Sequence, residues 1–155
     1  MPLPDQLRIA VTGLKHSGKS TLAPGVARRF NLSAFDLDAE TLALMRTDLE
    51  APRSGAKIRD YYALYGGDTF RRYEARALER IIDDGTPLVL ACGGGIVDNR
   101  AAITLLAESF LIVYLTVDFS ILFRRIEAGG IPPFIDAGNP WHSFVELAQR
   151  RETAY

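Results

Sequence analysis

The stretch GLKHSGKST, residues 13–21, lies directly behind the apolar run LRIAVT (7–12) and ahead of a segment of helical composition. Its spacing is Gly, four residues, then Gly18, Lys19 and Ser20. Glycines allow a tight turn in which successive backbone N–H groups converge, and the helix that follows adds the partial positive charge of its N-terminus. A strand, such a turn and a helix together form a cradle for phosphate oxygens. In this cradle Lys19 reaches the β and γ phosphates of a nucleotide and the Ser20 hydroxyl ligates Mg²⁺, so a phosphorylated nucleotide and Mg²⁺ are the expected ligands.

The rest of the chain sets bounds on what the cradle serves. At 155 residues and 48% hydrophobic content it fills one core, so a single domain over 1–155 is expected. A net charge of −1 gives no global field for a nucleic-acid polymer. Lys15, Lys19 and Lys57 are the only lysines; the other basic residues carry the planar fork that suits carboxylates and phosphates. The single cysteine, Cys92, fits a reducing compartment, and the cytoplasm is the expected location. The apolar runs are strand-sized, and no membrane association is expected.

Strand-like runs occur at 7–12, 33–38, 87–92 and 110–117, continuously apolar in the manner of strands covered on both faces. Helical stretches fall between them at 19–30, 38–46, 56–65, 68–83, 99–108, 118–128 and 140–154, with Asp98 and Asn139 as candidate caps. This alternation predicts a three-layer α/β fold.

Three further patterns carry chemistry. Asp36 and Asp38 in FDLDAE stand two apart at a strand's C-terminal end, the edge that faces the ligand crevice of an open α/β sheet. One carboxylate suits Mg²⁺ and the other a hydroxyl proton, although a helix N-terminus also favours acidic residues. Arg71 and Glu74 lie three apart on one helical face, where Glu74 would fix an arginine aimed at a substrate carboxylate, or both would serve a surface ion pair. Gly93, Gly94 and Gly95 in succession are costly in backbone entropy and indicate close approach of the main chain to a ligand.

In order along the chain, GLKHSGKST, FDLDAE, SGAKIRDYYALYGGDTFRRYEARAL, LACGGGIV, VYLTVDFSILFRRI and RRETAY resemble the shikimate kinases, small P-loop kinases that phosphorylate the 3-hydroxyl of shikimate. The resemblance implies a parallel sheet of order 2-3-1-4-5, substrate-covering helices over about 38–83 and a lid over about 128–140. It assigns Gly13, Ser17, Gly18, Lys19, Ser20 and Thr21 to the ATP phosphates, Arg125 to the adenine, and Ser20 with Asp36 to Mg²⁺. Asp38 becomes the base that contacts the reacting hydroxyl. Arg71 and Arg151 clamp the acid's carboxylate, Gly94 and Gly95 offer it backbone N–H groups, and Glu74 holds the site in shape. A monomer acting on a small molecule is implied.

The sequence departs from that pattern at three places. His16 stands where the family usually has glycine. The segment around 46–54 is longer than usual, which opens the alternative of another small hydroxy acid such as gluconate. Pro132 occupies the position of a lid arginine, which opens the alternative of a catalytically weak, ligand-binding relative. Beyond Tyr155 the resemblance implies a fifth strand, an adenine-contacting loop and a last helix.

Overall fold

The computed structural model describes residues 7–132 and 134–155. Four parallel strands, β1 (Arg8–Thr12), β2 (Ser33–Asp36), β3 (Leu88–Ala91) and β4 (Leu111–Tyr114), form one sheet in the order β2-β3-β1-β4. These are the first four positions of the expected order; the implied fifth strand is not among the described residues. In the central register Ala10 pairs with Leu90 on one side and Ile112 on the other. Helices α1 (Lys19–Phe30), α2 (Leu37–Asp48), α3 (Ile58–Asp83), α4 (Arg100–Ser109), α5 (Phe119–Gly129) and α6 (Pro140–Ala154) cover the sheet.

Continuous apolar sequence makes β1 and β3 two-faced. On one side Ala10, Leu88 and Leu90 pack with Leu37, Met45, Leu78 and Leu106; on the other Ile9, Val11, Val89 and Ala91 meet Ala23 and Ala27 of α1. Burying each large aliphatic side chain stabilises by about 1.5–3 kcal/mol, so these layers hold the strand ends in place. The outer strand β4 departs from the expected double coverage, because Leu111 remains 60% exposed and Ile112 and Val113 are also exposed.

Two predicted helices, 56–65 and 68–83, are one element bent at Gly66, whose φ of 80° and ψ of 167° interrupt the helical geometry. Glycine at 66 permits this left-handed residue at no steric cost. The longer 46–54 segment is fastened down: Tyr65 donates to the Glu50 carbonyl at 2.8 Å, and Arg76 pairs with Asp48 at 3.0 Å. Among the described residues no helix is long and apolar enough to cross a membrane.

The region expected as a lid is partly built into the body. Ile135 is 4% exposed and packs with Leu14, Leu122, Ile126 and Phe144, while its N–H donates to the Pro132 carbonyl at 3.0 Å.

Candidate active site

The turn after β1 folds as its sequence requires. Gly13 has φ 139°, and a Cβ there would lie 2.7 Å from the Leu115 carbonyl oxygen; Gly18, at φ 99°, caps α1. His16 also takes a left-handed conformation, φ 64°, at the position where glycine was expected. Its carbonyl accepts a 2.8 Å hydrogen bond from Arg125, so Arg125 is tied to the loop backbone.

Lys19 is buried and donates to the Leu14 carbonyl at 2.7 Å and to Ser17 Oγ at 3.3 Å. Burial lowers its pKa, while Asp38 and then Cys92 and Asp36 pull it upward. The Ser20 hydroxyl donates to Asp36 Oδ2 at 3.0 Å, which places a hydroxyl and a carboxylate side by side at the helix start. This oxygen donor set fits Mg²⁺, which takes one or two protein oxygens and completes its shell with phosphate and water. Thr21, also expected at the nucleotide, is exposed next to Ser20 in the first turn of α1.

Asp36 and Asp38 do not share an extended strand, as their spacing suggested. Asp36 ends β2 and caps α2, accepting from the N–H groups of Asp38 and Ala39 through Oδ1, while Asp38 sits in the helix's first turn. A cap turns the chain at once, so the two carboxylates serve different neighbours. Burial, reinforced by the charge of Asp36, raises the pKa of Asp38; Lys19 and Lys15 oppose that shift.

The three glycines after β3 crowd against protein groups at successive positions. A Cβ on Gly93 would stand 2.7 Å from Asp38 Oδ1, one on Gly94 2.7 Å from the Lys15 backbone nitrogen, and one on Gly95 3.2 Å from Arg151 Nη2. The sequence pointed to close approach of a ligand; the structure adds this crowding by side chains and the phosphate loop. Among the described residues no protein acceptor takes the N–H of Gly94 or Gly95, which leaves both directed groups available. Tyr155 ties the two loops together, its hydroxyl lying 3.2 Å from the Gly13 carbonyl and 3.4 Å from that of Gly94.

The arginines are held by partners that sequence reasoning missed. Arg71 donates to Asp68 at 2.5 Å, not to Glu74. Arg151 donates to Asp98 Oδ2 through Nε at 3.1 Å and Nη2 at 2.7 Å, so Asp98 is an ion-pair partner and not the cap of α4. A single 3₁₀ turn, Ile96–Asp98, shifts the cap by one residue to Asn99, whose Oδ1 accepts from the Ala102 N–H. Asn99 Nδ2 also donates to the Arg71 carbonyl and to Glu74 Oε2, both at 2.8 Å. The Asp98-Asn99 pair therefore links Arg151 to the Arg71–Glu74 turn. An asparagine just ahead of a helical run was the available signal.

The shikimate kinase family model matches residues 15–155 of the chain. This chain belongs to the shikimate kinase family. It is 30% identical to a shikimate kinase of Nitrobacter winogradskyi over 95% of its own length and 64% of that protein's, and 30% identical to one of Aromatoleum aromaticum over 95% and 78%. It thus spans 64% and 78% of the length of these two relatives. In fold it is similar to a shikimate kinase from Acinetobacter baumannii in complex with shikimate, with a TM-score of 0.79, 23% identity, and coverage of 97% of this chain and 79% of that one. The shikimate kinase fold accounts for the phosphate loop, Asp36 at the end of β2, Asp38 in the first turn of α2 and the glycine run meeting at one end of the sheet.

Proposed function

We propose that this chain transfers the γ-phosphoryl group of ATP to the 3-hydroxyl of shikimate. One observation carries the reading most directly: three consecutive glycines leave room, in turn, for the Asp38 carboxylate, the phosphate loop and the Arg151 guanidinium, each of which a Cβ would crowd. A substrate seated on that tripeptide would have its hydroxyl at Asp38 and its carboxylate at Arg151, with the loop that grips phosphate beside it.

In this mechanism the hydroxyl oxygen attacks the γ-phosphorus in line. The new oxygen–phosphorus bond forms as the bond to the β-phosphate oxygen breaks, ADP leaves with that electron pair, and Asp38 receives the hydroxyl proton. Burial and the charge of Asp36 raise its pKa, which makes this carboxylate a better proton acceptor than a solvated one. Lys19 and the Gly18 amide bind the phosphates, whereas the Ser17 N–H, also expected there, turns back to the Leu14 carbonyl at 3.2 Å; the N-terminus of α1 favours the phosphate charge. Ser20 and Asp36 would hold Mg²⁺, which would supply charge neutralisation for the phosphates. Arg71 and Arg151 fix the acid, and such positioning accounts for much of phosphoryl-transfer catalysis.

A coupled assay of ADP release tests the assignment, with shikimate, gluconate and other small hydroxy acids as acceptors. Shikimate-dependent ADP formation that exceeds every other acceptor is the expected result. Faster turnover with gluconate, or none with shikimate, overturns it.

A further inference from the structure

Phosphoryl transfer spreads negative charge over the oxygens of the moving group, and a cation placed on that group lowers the barrier. The segment 128–140, AGGIPPFIDAGNP, contains no lysine or arginine to fill this role. The other cations around the site already have roles and resting partners: Lys19, on the Leu14 carbonyl, serves the nucleotide; Arg71 and Arg151, on Asp68 and Asp98, serve the acid; and Arg125 is tied to the His16 carbonyl. Partial burial and the charges of Lys15, Lys19 and Arg125 all lower the pKa of His16, which disfavours the imidazolium.

Lys15 differs from these. It is exposed in the middle of the phosphate loop and has no ion pair or side-chain hydrogen bond among the described residues. Its backbone abuts Gly94, and it lines a narrow cleft with Leu14, Pro132, Phe134, Ile135 and Arg151. It is close enough to Asp38 to stabilise that carboxylate's charge. A flexible four-carbon ammonium rooted between the loop and the acid-binding face reaches what passes between them.

We propose that Lys15 contacts the transferred phosphoryl group and neutralises the charge that develops on it. The inference rests on the reaction given above, and it makes the phosphate loop supply two lysines: Lys19 for the bound nucleotide and Lys15 for the group in flight. A solvated surface lysine would be indifferent to the presence of a γ-phosphate.

Titration calorimetry of wild type and Lys15→Ala with ADP and with a nonhydrolysable ATP analogue, each with Mg²⁺, reads this contact without turnover. The expected result is about tenfold or greater weakening of the analogue with ADP changed by less than about twofold, and recovery in Lys15→Arg. Equal weakening of both nucleotides, or no weakening of either, overturns the proposal. In the shikimate assay Lys15→Ala should lower kcat by about a hundredfold and leave KM for shikimate within about twofold; retention of wild-type kcat also overturns it. A wild type inactive on shikimate sinks the substrate assignment, while the nucleotide pair still decides Lys15.

Discussion

Asn99 and Glu74 are joined by a 2.8 Å hydrogen bond from Nδ2 to Oε2, with Glu74 only 3% and Asn99 only 4% exposed. The wall of the candidate site thus contains a carboxyl group with a single neutral donor. Burial pushes Glu74 from 4.5 up to about 7; the Asn99 bond draws it back and the charge of Asp38 adds to the rise.

This shift has a defined consequence for stability. The folded state prefers protonated Glu74, so its contribution is fully present below about 4.5, declines as pH rises toward 7 and is gone above that. Glu74→Gln keeps the shape and removes the titration. The difference in Tm, variant minus wild type, should therefore grow by several degrees between pH 5 and pH 8. Thermal melts at matched ionic strength would show it; a difference that does not change with pH means that Glu74 is not held neutral.

The sequence disclosed the phosphate loop because its constraints are local: a strand, two backbone positions that need glycine, and a helix start with Lys19 and Ser20. Strand order was readable only through the family resemblance, while the interruption between the helical stretches 56–65 and 68–83 coincides with Gly66. Pairing of side chains across elements was not readable. Glu74 was expected to hold Arg71, but the two guanidinium groups are held by Asp68 and Asp98, and Asn99 joins the elements over 25 residues or more. The exposure of Leu111 in β4 also escaped, since an apolar run does not reveal which of its faces is covered.

Asp98 should govern how well Arg151 receives a carboxylate. Two donors of Arg151 converge on one Asp98 oxygen, and the guanidinium is 15% exposed, so its orientation depends on that charge. Asp98→Asn retains an acceptor of half the strength and should raise KM for the acid about five- to tenfold, with kcat changed less than about twofold. Steady-state kinetics with saturating ATP would measure this. An equal fall in kcat with unchanged KM would assign Asp98 to the chemical step instead.

Asp36 has two duties that one pair of variants can separate. Oδ2 meets the Ser20 hydroxyl, whereas Oδ1 caps α2. Asp36→Asn keeps a capping oxygen but loses the charge that Mg²⁺ requires; Asp36→Ala loses both and costs about 1 kcal/mol more in stability. Both variants should need about tenfold more Mg²⁺ for half-maximal rate, but only the alanine should melt appreciably lower. If the asparagine variant shows the wild-type Mg²⁺ dependence, the carboxylate is only a cap.

Gly94 and Gly95 should respond to alanine in opposite ways. A methyl group on Gly94 would meet the Lys15 backbone nitrogen at 2.7 Å and its Cα at 3.1 Å, atoms that move only if the phosphate loop moves with them. On Gly95 it would meet the Nη2 end of Arg151 at 3.2 Å, a side-chain tip that can swing aside. Gly94→Ala should therefore lower Tm and weaken ADP binding by about tenfold, since overpacking a rigid contact costs about 1–3 kcal/mol. Gly95→Ala should leave Tm and ADP binding unchanged and raise KM for the acid, because the displaced arginine no longer faces the carboxylate. Melts, calorimetry and acid kinetics on the two variants distinguish these outcomes. If both lose nucleotide binding together, the glycine run is a single rigid support for the phosphate loop and Arg151 is not the element it positions.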